Sequence, residues 1–372
     1  MRVLFLNQYF PPDPAPTGIL FRELADDLEQ HGHTVEFVDA GLDYRAAQKK
    51  GGRMKRELAS LWRMLRAGKA AQRADVVISG TSPPLLAVVA DRVARSHKAR
   101  HFHWAMDVYP EIATALGEIK SGSLIAKITG WASARAYRRA AKIIALDADM
   151  AALFSEHGVK AEIIRPWVFK SVLDRITPPT PPTGEWTWIY SGNLGRAHEW
   201  ETLLSAQALL EKRGIDATLL FQGGGPSWPL AQARAKQLGL QRCRWRDYVP
   251  EDEIRASLLA RHALVVTQLP TVQGLLWPSK LGLVMTLPRP ILFIGPTGAI
   301  AAELRQFPHA TTIAPGEAEA VAAWLTQMRN TPPTISQTLD PAAHRTEALA
   351  AWRKLIIASS SNRASKYFSA DC

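Results

Sequence analysis

Cysteine is scarce in this chain. Cys243 and Cys372 are the two it has, far apart in 372 residues, the second at the very end. They build neither a disulfide framework nor metal-ligand spacing, so a reducing compartment and no metal site are expected. Long apolar runs are missing too: nothing approaches the roughly 20 residues of a membrane-spanning helix. The opening "MRVLFLNQYFPP" has too short an apolar run and meets proline too early for a secretory signal, and it reads as a first β-strand. The expectation is a cytoplasmic protein, at most peripheral on the inner face of a membrane. The close glycine fingerprint of dinucleotide-binding proteins does not follow that strand, which argues against a nicotinamide cofactor. Acidic residues are outnumbered, 34 against 45 Lys and Arg, leaving a formal charge of +11. That balance calls for an anionic partner: nucleic acid, anionic lipid or a phosphorylated substrate.

What is present is an ordinary globular composition, 47% apolar and 21% charged, with its basic charge concentrated in "KKGGRMKRELASLWRMLRAGK", residues 49–69. Met54, Leu58, Leu61, Trp62 and Leu65 recur there at helical spacing, with Arg53, Lys55, Arg56, Arg63 and Arg66 at other positions. A basic amphipathic helix carrying a tryptophan is the pattern of a helix lying in a bilayer interface, with Arg53, Arg56, Trp62, Arg63 and Arg66 as the contacts. A core-packed surface helix with a solvated basic face has the same periodicity, so both readings stand. Nucleic acid is the weakest partner, because no aromatic platform or recognised motif accompanies the charge.

Short strand-like runs alternate with amphipathic helical ones: "RVLFLNQ", "GILFRELADDLEQHG", "HTVEFVDA", "ADVVISG", "LLAVVADRVARSHK", "ARHFHWAMD". Such alternation predicts an α/β, doubly wound parallel sheet with crossover helices. Residues 170–185, "KSVLDRITPPTPPTGE", break it; four closely spaced prolines continue neither a helix nor a central strand, so this is a linker. The alternation resumes at "WTWIYSG". Two tandem Rossmann-like domains are therefore expected, 1–169 and 186–341, the first completed by a helical segment within 342–372 that packs back on it. No internal repeat relates the halves.

In open parallel sheets ligands bind beyond the carboxyl ends of strands, and two such domains facing each other make a cleft. In the first half, Gly18 opens a helix after "NQYFPPDPAPTG", and "GTSPP" offers backbone donors and the Ser82 hydroxyl. "HWAMDVYPE" places His103, Asp107 and Glu111 around a strand end, where a carboxylate can orient a hydroxyl or act as a base. An acidic, proline-bearing helix start explains the same residues without chemistry. In the second half, Gly192 and Gly195 of "YSGNLGR" permit close approach of a phosphate and Arg196 is long enough to reach one. "FQGGGP" adds Gly223 and Gly224. "GLLWPSKLGLVM" reads as a loop feeding a helix N-terminus, where Lys280 and the helix dipole would act on one strongly anionic ligand. Three glycine-bearing strand ends in one domain point to a phosphorylated nucleotide.

In this order "YFPPDPAPTG", "SPP", "DVYPE", "YSGNLGR", "FQGGG", "RDYVP" and "PSK" followed by "PRP" resemble the GT-B glycosyltransferases of family 4, over nearly the whole chain. The nearest likeness is to the colanic-acid and O-antigen type that builds cell-surface polysaccharide. The resemblance implies transfer of a sugar from a nucleotide-diphosphate sugar with retention of anomeric configuration, without a required metal or other cofactor. The C-terminal domain would hold the donor and the N-terminal domain a glycan acceptor on a polyprenyl diphosphate, which the basic helix suits. Cations and helix N-termini would stabilise the departing diphosphate. Residue by residue, it assigns the donor to Gly192, Asn193, Gly195, Arg196, His198, Gly223, Gly224, the amides of Gly274, Leu275 and Leu276, Ser279 and Lys280. Tyr248 and Val249 would border the base. Gly18, Ser82, His103, Asp107 and Glu111 fall on the acceptor side, and Asp107, Arg196 and Lys280 are the expected catalytic groups.

The pattern also departs from the family. Many relatives keep two glutamates where Val272 and Lys280 stand, and an arginine and a lysine where Asn193 and His198 stand. A serine–lysine pair is common in the polysaccharide subgroup and matches Ser279–Lys280. The base and sugar of the donor therefore do not carry over. A nucleotide-sugar epimerase of similar fold and a non-catalytic nucleotide-sugar-binding subunit with a decayed site are the alternatives.

Overall fold

The computed structural model describes residues 1–13, 15–41, 53–174, 181–182 and 184–367; for Arg53, Met54 and residues 359–367 it describes the backbone alone. Residues 49–52 of the basic segment, the Arg53 side chain, and 175–180 and 183 of the expected linker lie outside what is described. Contacts divide the chain into two units. One is Met1–Phe169 with Gly274–Trp277 and Ala343–Cys372; the other is Lys170–Gln273 with Pro278–Ala342.

The first unit runs β1 (Arg2–Leu6), α1 (Pro16–Gln30), β2 (Thr34–Val38), α2 (Arg53–Ala70), β3 (Val76–Ser79), α3 (Leu86–His97), β4 (Arg100–Trp104), α4 (Glu111–Ala115), α5 (Leu124–Arg139), β5 (Lys142–Ala145), α6 (Ala148–Glu156) and β6 (Ala161–Ile163). The expected linker opens as a short helix, α7 (Lys170–Leu173). The second unit continues with β7 (Thr187–Asn193), α8 (Glu201–Lys212), β8 (Thr218–Gly224), α9 (Trp228–Gln237), β9 (Cys243–Arg246), α10 (Ile254–Leu259), β10 (Ala263–Thr267), α11 (Lys280–Val284), β11 (Ile291–Ile294), α12 (Ala299–Leu304), β12 (Ala310–Ile313) and α13 (Ala318–Asn330). The last helix, α14 (Pro341–Tyr367), lies almost wholly in the first unit. Each unit is a parallel six-stranded sheet, ordered β2-β1-β3-β4-β5-β6 and β12-β11-β10-β7-β8-β9, so the α/β doubly wound class that the alternation predicts is the observed one.

Helices on both faces bury the inner strands, which is why β1, β3, β10 and β11 read as largely apolar runs while the outer β2, β9 and β12 are only part-buried. In the first unit the period of two sorts the faces. Leu4, Leu6 and Val77 pack under α2 and α3. On the other face Trp104 stacks with Phe21 at 5.1 Å, Trp167 at 5.5 Å and Trp352 of α14 at 4.9 Å. Charge pins α14 there too: Arg353 donates to Asp27 at 2.6 Å and Arg345 to Glu23 at 3.0 Å, while Glu23 also accepts from Trp167 Nε1.

The apolar residues of α2 divide between two sides of the helix. Met64 is buried against α3, and Gly68 is glycine because a Cβ would meet Val93 at 2.8 Å. Leu61 and Leu65 join that core, whereas Leu58 and Trp62 are exposed. Arg63 is exposed, and its guanidinium also donates to the carbonyls of Ala40 (2.6 Å) and Gly41 (3.2 Å).

Trp352 is fully buried between α1 and the sheet, so Trp352→Ala should cost about 3–5 kcal/mol through lost burial and an unfilled cavity. Calorimetry should show the first unit melting earlier, with the transition of the second unit in place.

Candidate active site

In the second sheet β7 lies between β8 and β10, so the crossovers diverge there and the loops after β7 and β10 flank a switch point. Tyr190 lies in the buried part of β7, one residue before its end at Ser191. Lys280, the first residue of α11, does not project beyond its helix. Its ammonium lies 3.7 Å from the centroid of the Tyr190 ring and donates to the Tyr190 hydroxyl, which in turn donates to the Asn193 carbonyl at 3.0 Å. The helix has five residues, so its dipole is small and the expected partnership of dipole and lysine is revised. A ring face and a phenol hold the cation instead. Ile189, Leu258, Leu264, Val265 and Val284 line a cavity of about 40 Å³ beside it, and no other charged group lines that cavity. Loss of water in these surroundings lowers the pKa of Lys280 to about 7.

His198 stands where many relatives have a lysine, but it supplies no charge. Its Nδ1 donates to the Thr267 carbonyl at 2.9 Å; burial, and then the charge of Lys280, lower its pKa to about 3. The ring is neutral near pH 7, with its Nε2 lone pair an acceptor. Arg196 and Ser279 have exposed side chains, Val249 is half-buried, and exposed Tyr248 has its ring edge 3.1 Å from where a Cβ on Gly224 would stand.

The glycines here answer first to the fold. Gly192 and Gly223 are register partners at the ends of β7 and β8, with φ of 125° and 133°, and a Cβ on Gly223 would sit 2.2 Å from the Gly192 carbonyl oxygen. Gly225 meets Asn193 and Leu194 as tightly. A Cβ on Gly192 would face Lys280 Cε at 3.5 Å, which makes its backbone the floor beneath the ammonium. Gly195 has room to spare. Below this surface Ser257 donates to Gln222 (2.6 Å), which donates to Ser191 (3.0 Å), a polar chain the sequence did not reveal.

Gly274, Leu275 and Leu276, expected to share a donor loop with Lys280, are built into the first unit. Gly274 has φ of 70° and packs on Asp149 and Leu153; the Leu275 carbonyl accepts from Val108 N–H at 2.9 Å; Leu276 pairs with Asp107 in an antiparallel bridge. Beside this bridge burial raises the pKa of Asp107 to about 6.

Other first-unit candidates are committed to structure. Gly18 lies under the loop after β1, where a Cβ would be 2.7 Å from the Tyr9 oxygen. The Ser82 carbonyl accepts from Gln8 N–H. His103 is 1% exposed inside β4; its Nδ1 meets Ser79 Oγ at 3.0 Å, its ring lies by Tyr137, and burial holds it well below the usual histidine range. It is a core residue and not an acceptor contact. Glu111 pairs with His157 Nε2 at 3.1 Å. Among the described residues no group of three or more His, Cys, Asp or Glu could hold a metal ion.

Tyr190 was the residue the sequence did not single out. A buried tyrosine needs a partner for its hydroxyl, and that requirement was the signal available. The hydrogen bond to Glu111 raises the pKa of His157 above 6.5. The pair therefore stabilises the fold fully below the unfolded pKa of His157, and that contribution is lost as pH rises through the folded value. An NMR titration should place the His157 midpoint above 6.5, and Glu111→Gln should bring it down.

No family model matches the chain. By sequence it is similar to a protein of Pseudomonas aeruginosa described as "Probable glycosyltransferase WbjE", 25% identical over 334 residues that cover 80% of this chain and 82% of that protein. The apo form of the lipopolysaccharide outer core galactosyltransferase WaaB superposes with a TM-score of 0.64 at 14% identity, over 96% of this chain and 100% of that one. Anabaena Alr3699/HepE in complex with UDP-glucose does so with a TM-score of 0.64 at 14% identity, over 95% and 100%. Two parallel six-stranded sheets covered by helices, in one chain and in this order, are the GT-B fold.

Proposed function

We propose that the protein is a glycosyltransferase that moves a sugar from a nucleotide-diphosphate sugar, with retention of anomeric configuration, to a lipid-linked glycan of a cell-surface polysaccharide. The observation that carries this reading is Lys280: a desolvated ammonium at a sheet switch point, with no carboxylate in ion-pair range among the described residues. A diphosphate supplies the charge that such a lysine lacks. Similarity to WbjE, to a lipopolysaccharide galactosyltransferase and to a protein that binds UDP-glucose supports the donor class. The family 4 resemblance supports retention and reaction without a required metal. An epimerase would need an acid/base pair beside the donor, whereas Lys280 is surrounded by Tyr190, neutral His198 and apolar side chains.

In this mechanism the bond from the anomeric carbon to the diphosphate oxygen breaks and its electron pair leaves on the diphosphate. The ammonium of Lys280, aided by Arg196, offsets that charge as it develops. His198 Nε2 accepts from a sugar hydroxyl. The acceptor oxygen bonds to the anomeric carbon on the face the diphosphate leaves, and its proton passes to the departing diphosphate oxygen.

A thermal-shift panel of UDP-, GDP-, ADP- and dTDP-sugars identifies the donor, and NMR of the product then reads its anomeric configuration; an inverted product removes the retaining mechanism. Lys280→Met should lower kcat/KM by about 10²–10³, the typical loss of one charge-stabilising group. The pH dependence has a definite sign. Lys280 must be protonated, so kcat/KM should fall as pH rises above about 7. Nucleoside-diphosphate affinity should be flat below pH 7 and drop by up to about tenfold per unit above it, until the pKa of the complex is reached. Affinity unchanged from pH 6 to 9 would sink the role given to Lys280.

A further inference from the structure

We propose that α2 and α5 together form a docking face for an anionic bilayer, with Trp62 and Trp131 as its two anchors. Helix α3 packs against α2 on one side and α5 on the other, and all three cover the same face of the first sheet. That shared face follows from the register: Val77 lies opposite His101 and Ser79 opposite His103, so the core under α3 continues to His103, where Tyr137 of α5 packs.

Both helices carry large apolar side chains away from that core. On α2 the buried stripe is Ser60, Met64 and Gly68, and Leu58 and Trp62 lie opposite. On α5 Ser133 and Tyr137 face inward, and Leu124, Ile125, Ile128 and Trp131 face solvent. Trp62 is 60% exposed, Trp131 64% and Leu124 72%. These six residues are most of the large apolar side chains the described chain exposes, and they lie on two helices that flank α3.

Charge decides the occupant. The two helices carry ten Lys and Arg against one acid, Glu57. Arg139 is paired with Asp91 of α3 and Arg63 holds backbone carbonyls, while Lys55, Arg66, Lys69, Lys127, Arg135 and Arg138 are exposed. The two also repeat one device. Arg66 lies over the Trp62 ring at 4.6 Å and Arg135 over the Trp131 ring at 5.7 Å, each four residues on in its helix. A ring that enters the acyl boundary beneath a guanidinium that stays with phosphates is the chemistry of a membrane interface. A protein partner would gain little from so one-sided a charge, and a second copy would meet its own cations.

The surface is argued from the first unit alone and does not rest on the glycosyltransferase reading, because its test has no catalytic step. The purified chain should co-sediment with vesicles of phosphatidylglycerol and phosphatidylcholine at low salt, and at least tenfold more weakly with phosphatidylcholine alone. Trp62→Ala with Trp131→Ala should lower binding at least tenfold, and Trp131→Ala alone should lower it measurably, which a face made by α2 only would not show. Lys127→Glu with Arg135→Glu should abolish the preference for anionic lipid. All four side chains are exposed, so circular dichroism and thermal melting should stay as in the parent. Equal binding to both vesicles, or wild-type binding by the double tryptophan variant, overturns the proposal. So does sedimentation showing that the chain self-associates through these residues.

Discussion

A cation out of water without a counter-charge is the constraint that organises the second unit. Burying an ammonium is expensive, and a carboxylate is the usual remedy. Here the remedy is partial: the Tyr190 ring and hydroxyl, and behind the hydroxyl the Asn193 carbonyl. What they leave uncompensated appears as the drop in the Lys280 pKa from 10.5 to about 7. Between those values the unfolded chain binds the extra proton, so the free protein gains stability as pH rises through that window. Association with an anion has the opposite slope, because it restores the proton. One side chain thus couples fold stability and ligand affinity to pH in opposing directions, which an exposed lysine could not do.

The neighbouring residues follow from that cation. His198 is held neutral by burial and by the charge beside it, so it offers a hydrogen-bond acceptor and not a second cation. Gly192 lies beneath the lysine, and its φ of 125°, which other residues avoid, is what calls for glycine there. Gly223 and Gly225 then let β8 and its loop close against β7. The glycine pattern that suggests phosphate contact is therefore first a packing requirement, and the open phosphate-facing backbone is its consequence.

How much of this the sequence shows depends on whether the property is local. Strand–helix alternation is local, and both parallel sheets follow from it. The pairing of Leu275 and Leu276 with Val108 and Asp107 is not local: a loop that reads as continuous with α11 spends its hydrogen bonds on the first unit. His103 lies on a strand as expected, but only the register with Ser79 shows that it turns into the core. On α2 a single apolar periodicity concealed two stripes, because what packs on Met64 and Gly68 is a neighbour far along the chain. The outer stripe of α5 went unread for a related reason: its cations are dispersed and no basic run draws attention to it.

The two sets of positive charge act in different dielectrics, and this separates their roles. Lys55, Arg66, Lys69, Lys127, Arg135 and Arg138 of α2 and α5 are exposed, where salt screens their charge over about 10 Å at 0.1 M. Such charge works by accumulation, many cations against many phosphates, and it tolerates the loss of any one. At the switch point a single ammonium acts in surroundings that salt barely reaches, so its effect rests on position and desolvation and not on number. The net charge of +11 therefore says little about the surroundings of Lys280, which would keep their electrostatics in a chain with no net charge at all. What the net charge reports is the outer surface of the first unit.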